Sequence, residues 1–289
     1  MTWRSWAGAV VLFFAWGFVM HAVGLLLHEF GGHALASTFF GCGIDGFKLT
    51  LFGHGQVHYA PCTRWTTTTI LVADWAGLVL TGGAGLAAAL FLRRRGLPPM
   101  TRLLIALLAF FFLLGQLGYA TSGGFHSLFD PGRSARRLAA HGMHWVAWVP
   151  PLIAYAASAF LVARAAVEAF REHFGSRSRL HSLGQLVLTL GVGGILYFAA
   201  FRIEWRLRMD MAVRGVAVEA ERIATVNHTA PPFPIEIVLL GVAVIGLATA
   251  LLRPVRAPVD ASPLPRHLVT SLSAATALCL IVMLVLVRK

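Results

Sequence analysis

Residues 25 to 36 read Leu-Leu-Leu-His-Glu-Phe-Gly-Gly-His-Ala-Leu-Ala, which sets His28, Glu29 and His33 inside an otherwise apolar helix. Ionisable groups are costly in that setting and mark sites that bind or react. The metal-ligating pattern H-E-x-x-H spaces two imidazoles four residues apart, about 40° around a helix, and turns the intervening Glu towards metal-bound water. Here the spacing is five residues, about 140° in a regular α-helix, which would spoil a shared ion. A π turn, with i→i+5 hydrogen bonds, restores a common face, and Gly31-Gly32 lets the backbone adopt one cheaply. The expected chemistry is a divalent metal on His28 and His33 with Glu29 as general base. The alternative is three polar packing groups, with Glu29 and His33 forming an i,i+4 pair.

A catalytic zinc takes three protein ligands and keeps a fourth position open, so a further ligand is required. Asp130, in Phe129-Asp130-Pro131-Gly132, is the expected one. It follows the third apolar run, where the chain turns and a carboxylate can point back at the bundle. Read locally, the same residues are an ordinary Asp-Pro-Gly turn. His126, four residues earlier, is the alternative ligand or a partner that orients one, with His58 behind it. Asp74, inside the second apolar run, is either a helix-packing group or another such partner.

The elements that must position these groups are membrane helices. Seven apolar stretches, about 6–36, 67–92, 101–121, 143–166, 183–202, 233–252 and 267–287, each approach the ~20 residues of a spanning helix. The expected fold is an all-α polytopic membrane protein of six to seven spans. Between the first two, Phe47, Leu49 and Leu51 alternate ahead of Gly53-His54-Gly55 and Val57-His58-Tyr59, which predicts a small β-hairpin over 42–60 packed on the helices. Residues 1–140 form the expected catalytic core and 141–289 carry additional helices. Polar connectors are expected at 166–182 and 204–232, the second as an interfacial amphipathic helix or a solvated link.

Composition agrees with a bilayer setting. Of 289 residues 57% are apolar and 12% charged, against about 25% charged in soluble domains, and mean hydropathy is +0.74. The 24 basic residues against 12 acidic ones lie in short clusters between apolar runs, so they read as membrane flanks meeting anionic lipid and give no face for nucleic acid. With the start of the first run cytoplasmic and seven spans, twelve basic residues fall inside and twelve outside, so the positive-inside rule returns a tie. That run follows Arg4 as a signal peptide would, but its length makes it an uncleaved span. Lys48 and Lys289 are the only lysines. The preference for arginine and alanine, whose codons are GC-rich, suggests a bacterial inner membrane protein. Cys42 and Cys62 flank the hairpin, but without CxxC spacing neither a disulfide nor a structural zinc is expected there; Cys279 reads as a small hydrophobe.

Over roughly residues 20 to 140 the chain resembles the site-2 protease class of intramembrane zinc metallopeptidases, especially its compact bacterial members. The resemblance rests on the His-Glu-…-Gly-His-Ala helix, the glycine-rich hairpin, the small-residue helix from Ala76-Gly77 to the Arg93 to Arg95 cluster, and a later membrane-end Asp followed by Gly. The motif here is one residue longer, a spacing similar to that of one class of zinc-binding dipeptidyl peptidase, and Phe-Asp-Pro-Gly stands where a Leu-Asp-Gly-type sequence with a nearby Asn is usual. The resemblance implies His28, His33 and Asp130 as zinc ligands, Glu29 as general base, and a membrane-spanning protein as substrate, held unwound by the hairpin.

Two other function classes fit parts of the sequence. Spaced histidines at His54/His58 and His141/His144, with His28/His33, suggest a di-iron membrane oxygenase or desaturase, although adjacent His-His pairs are lacking. The lengthened motif also suits a non-catalytic scaffold that keeps the protease fold and binds membrane helices.

Overall fold

The structure, a computed structural model, describes residues 3–52, 55–94, 96–174, 179–212, 234–252 and 266–287. The chain begins with α1 (Trp3–Leu26), passes through a π-helical segment (Leu27–Ala34) and returns to α-helix in α2 (Leu35–Phe39). The strands β1 (Ile44–Leu49) and β2 (Gly55–Tyr59) follow, then α3 (Thr67–Phe91), α4 (Pro99–Ala109), a second π segment (Phe110–Leu114), α5 (Gly115–Phe125) and α6 (Phe129–Ala139). A short 3₁₀ turn (His144–Ala147), α7 (Val149–Phe174), α8 (Arg179–Ala212), α9 (Ile235–Leu252) and α10 (Arg266–Val287) follow among the described residues.

Among the described residues six helices are long and apolar enough to cross a membrane: Trp6–Phe39, Thr67–Phe91, Met100–Phe125, His144–Glu172, Gly184–Glu204 and Val269–Leu286, with Ile235–Ala250 a shorter apolar helix. The ends of these helices are written in the sequence. Thr66 caps α3 by accepting the Thr69 N–H while the Thr69 side chain accepts the Thr66 N–H, a reciprocal capping box. Pro98 precedes α4 and Pro99 opens it, where a missing N–H costs nothing.

One end of the bundle is sealed by Ala9, Leu12 and Phe13 of α1 against Leu103 and Leu107 of α4, Val167 and Phe170 of α7 and Leu186 of α8. At this end Arg102 makes two hydrogen bonds, 2.8 and 2.9 Å, to the Glu172 carboxylate, which ties the start of α4 to the end of α7. At the other end β1 and β2 pair antiparallel, with Phe47 opposite Val57 and Leu49 opposite Gly55. The hairpin folds back along the bundle. Leu49 is buried with Ala22 and Met283, and Phe52 reaches the Phe18 ring at 5.2 Å. Glu204 of α8 accepts the backbone N–H groups of Leu51 at 2.5 Å and Phe52 at 2.7 Å, fixing the hairpin tip.

Several boundaries differ from the sequence expectation. Residues 166–174 continue α7 and 204–212 continue α8, because polar side chains at the end of a span extend a helix beyond the apolar stretch without breaking it. The rest of the expected amphipathic segment, 213–232, lies outside the described residues. The third span runs on to Phe125, and Asp130 sits in the first turn of α6 rather than in a free Asp-Pro-Gly turn. Cys42 and Cys62 are joined in a disulfide, contrary to expectation. The hairpin register explains it: Ile44 lies opposite Tyr59, so the flanking cysteines are carried together.

Candidate metal centre

The extra residue of the motif is absorbed by the π segment Leu27–Ala34, which buries His28, Glu29, Gly32 and His33. With i→i+5 bonding the two imidazoles come onto one face, their ring centroids 4.8 Å apart. The segment lies directly on α3. A Cβ at Gly32 would stand 2.3 Å from the Gly77 Cα, and one at Gly77 would stand 2.7 Å from the His28 ring, so this contact admits only glycine at both positions. The close approach lets the His33 Nδ1–H donate to the Ala73 carbonyl at 2.7 Å.

That hydrogen bond decides the tautomer: a neutral His33 then carries its lone pair on Nε2. Nε2 faces Oδ2 of Asp130 at 3.1 Å, and the His28 Nε2 lies 3.5 Å from the same oxygen. A lone pair opposed to a carboxylate oxygen at this distance is stable only with a cation between them, a proton or a metal ion. The ligand atoms of His28, His33 and Asp130 all lie within 4.8 Å of one another, a buried group that could hold a metal. Imidazole nitrogen and carboxylate oxygen are a donor set suited to zinc.

Asp130 is aimed by an unusual loop. Ser127 and Phe129 both have φ of 57°, a left-handed conformation that costs a non-glycine residue about 1–3 kcal/mol. The Arg133 guanidinium donates to the other carboxylate oxygen, Oδ1, and also reaches Oδ1 of Asp74 at 3.1 Å. Arg137 holds the second oxygen of Asp74 at 2.5 Å. Asp74, 1% exposed, is therefore neutralised by two arginines of α6, and the Asp74–Arg133 pair clamps α6 to α3 beneath the ligand. Burial opposes ionisation of Asp130, but the hydrogen bonds to His28 and His33 and the Arg133 charge outweigh it and hold its carboxyl well below the usual carboxylate range. Tyr119 donates its hydroxyl to Oδ2 of Asp130 at 3.4 Å.

Glu29 is 3% exposed, and its Oε2 accepts no hydrogen bond among the described residues. Gly55 of β2 lies over it: a Cβ there would stand 2.4 Å from the Glu29 Cγ. From His28 and Glu29 a cavity of about 320 Å³ opens between α1 and α5, walled by Leu25, Phe112, Tyr119 and Phe129.

Of the four residues expected from the sequence, His28, His33 and Asp130 thus converge, and Glu29 is buried beside the first two. Among the described residues no other histidine joins them. His126 faces Glu236 at 3.1 Å, and His141 and His144 are exposed. His58 lies on β2 opposite Gly46, and His54 lies outside the described residues. Among the described residues no second group of three ligands converges, as a pair of irons would require. Sequence reasoning missed Tyr119, Arg133 and Arg137, which carry no local pattern beyond helical spacing of the two arginines, and it missed Tyr59. The Tyr59 ring stands 6.5 Å from that of His33, and burial near Asp74 and Asp130 pushes its phenol up. No protein-family model, no curated protein and no solved structure matches the chain.

Proposed function

We propose that the chain is an intramembrane zinc metalloprotease of the site-2 type, which cleaves a membrane-spanning segment of a protein substrate by hydrolysis. The observation that carries this reading is the convergence of His28, His33 and Asp130 inside a helical bundle, beside a buried glutamate with one oxygen unpartnered among the described residues. Zinc, when bound by these three residues, supplies a Lewis acid that acidifies water and polarises a carbonyl. Glu29 acts as the base: Oε2 takes a proton from the attacking water and returns it to the leaving amide nitrogen. Arg133 and the Ala73 carbonyl keep Asp130 and His33 in orientation through the reaction.

The apolar cavity beside Glu29 suits a hydrophobic side chain next to the scissile bond. Gln116 lines it, and its buried Oε1 accepts no hydrogen bond among the described residues, which leaves it free to take a substrate N–H. A helical segment must unwind to expose its peptide bonds. β1 packs against α10 while β2 runs along the π segment, so the β2 side of the hairpin is the one on which an extended peptide would lie next to Glu29.

The test joins metal analysis to proteolysis in liposomes against a panel of single-span peptides. One zinc per chain is expected, lost in His33→Ala and kept in Glu29→Gln, with cleavage by the latter reduced at least ~10²-fold. Zinc-loaded protein that cleaves nothing across the panel, while still binding its peptides, would replace the protease with the scaffold.

A further inference from the structure

We propose that Tyr119 is a catalytic residue of this centre: its hydroxyl donates a hydrogen bond to the carbonyl oxygen of the scissile peptide and stabilises the negative charge that builds there during hydrolysis. This role rests on the protease reading above, and it adds the group that receives the substrate oxygen.

As the oxygen of water bonds to the carbonyl carbon, the C=O π pair moves onto the carbonyl oxygen. In an apolar bundle that charge needs a donor already in place. Glu29 is occupied with the proton of the attacking water. Arg133 is engaged by Asp74 and by Oδ1 of Asp130. Tyr59, whose hydroxyl is buried and unpartnered among the described residues, stands against His33 and is not among the residues that line the cavity. Of the side chains that line the cavity beside His28 and Glu29, Tyr119 is the one whose hydroxyl reaches a ligand oxygen, Oδ2 of Asp130.

The geometry suits a donor that changes acceptor. The Tyr119 hydroxyl lies 3.4 Å from Oδ2, against about 2.7–2.8 Å in a well-formed O–H···O bond, so little is lost when it turns to a nearer oxygen. The ring is held edge-on to the His28 imidazole, centroids 6.1 Å apart, and tilted against Phe129 at 5.7 Å, which fixes the hydroxyl before charge develops. A phenol is protonated at neutral pH, so it donates without entering the proton transfer. Glu29 takes one proton from water and passes it to the amide nitrogen as the C–N bond breaks. Tyr119 keeps its own proton throughout.

Gln116 lies three residues earlier on the same face of α5, and it lines the same cavity. In an extended peptide the N–H and C=O of one residue point to the same side. With Tyr119 on the C=O and Gln116 Oε1 on the N–H, the residue before the scissile bond is gripped through its backbone, and the substrate runs from Gln116 towards Tyr119.

Tyr119→Phe keeps the ring and removes the donor. In zinc-loaded protein in liposomes, kcat for a cleaved single-span peptide is expected to fall about 10²–10³-fold with KM within about threefold, whereas Gln116→Leu should chiefly raise KM. A role confined to orienting Asp130 predicts instead that activity tracks zinc content and returns in excess zinc. Binding gives a readout without turnover. A hydrophobic peptide with one peptide unit replaced by phosphinate presents a tetrahedral anionic oxygen, and it should bind Tyr119→Phe at least ~10-fold more weakly than the unmodified protein. The plain peptide, measured in a Glu29→Gln background that blocks cleavage, should bind with and without the Tyr119 hydroxyl within about threefold. Equal losses for the two peptides, or activity restored by zinc, overturn the assignment. If the unmodified protein cleaves nothing, the protease reading fails, and the phosphinate comparison still decides whether Tyr119 meets an anionic oxygen at the centre. Equal phosphinate binding by both forms, or none by either, overturns that contact.

Discussion

Gly32→Ala is the sharpest perturbation the site offers, because it adds one methyl group at a contact made entirely of backbone. The new Cβ would lie 2.3 Å from the Cα of Gly77, 2.4 Å from its nitrogen and 2.8 Å from the Ala76 carbonyl carbon. No rotamer change can relieve such a contact. Ordinary contact begins at 3.4 Å, so 3.4 Å less 2.3 Å requires the π segment to move from α3 by about 1.1 Å. His33 lies next to Gly32 in that segment, and its Nδ1 is 2.7 Å from the Ala73 carbonyl of α3. A shift of about 1 Å along that direction takes this hydrogen bond beyond its useful range. Asp130 does not follow, because Arg133 anchors it to Asp74 of α3.

The expected cost combines overpacking, about 1–3 kcal/mol, with a lost hydrogen bond of about 0.5–1.5 kcal/mol. Loss of the group that orients His33 should weaken zinc binding about 10–100-fold. Zinc affinity is measured by competition with a chromophoric chelator and stability by thermal unfolding in detergent. Gly83→Ala is the control, since nothing lies within 4 Å of its added Cβ. It should leave zinc binding unchanged and stabilise α3 by up to about 1 kcal/mol. If Gly32→Ala binds zinc within twofold of the unmodified protein and melts at the same temperature, the close contact of Gly32 with Gly77 does not hold the histidine pair in register, and the π segment must be fixed by something else.

Tyr119→Phe removes the hydroxyl that donates to Asp130 at 3.4 Å and leaves the ring that walls the cavity. Zinc affinity should fall by up to about 10-fold with unfolding unchanged within about 1 kcal/mol, as befits one long hydrogen bond; a complete loss of metal in the chelator assay would make the phenol far more important than its distance allows. Glu204→Gln replaces a carboxylate that accepts two backbone N–H groups with an amide that offers one acceptor. Hydrogen exchange across 50–59 should accelerate about 10-fold, while the Cys42–Cys62 end of the hairpin stays protected, and uniform acceleration along the hairpin would argue against a latch at its tip.

What could be read from the sequence was whatever depends on short-range spacing. The five-residue interval between His28 and His33 required a π turn if they were to share an ion, and Gly31-Gly32 indicated where; the structure has one at Leu27–Ala34. Alternation at Phe47, Leu49 and Leu51 likewise gave the hairpin. What was missed depends on combining elements. The disulfide follows once the hairpin register brings residues 44 and 59 opposite each other, but spacing between cysteines carries no such information. The pairing of Asp74 with Arg133 spans 59 residues and two helices, so no local pattern announces it. In the sequence 166–174 reads as a connector and 204–212 as the start of an interfacial amphipathic helix or a link, because apolar length marks the bilayer, whereas a helix ends only where its backbone hydrogen bonds do.

The departures from regular structure bear on function through their location. A π segment carries the histidines, a second one at Phe110–Leu114 contributes Phe111 and Phe112 to the cavity wall, and the left-handed residues Ser127 and Phe129 stand directly before Asp130. Each is unfavourable taken alone. An apolar bundle could seal the same volume with regular helices and no buried carboxylates, so packing gives no reason for these features to gather around one point. A site that must aim three ligand atoms and a base at one another does give such a reason, because regular α-helix cannot bring a five-residue histidine pair onto one face. Irregularity confined to the border of a cavity is thus an argument for binding and chemistry there that stands independently of the identity of the ligating residues.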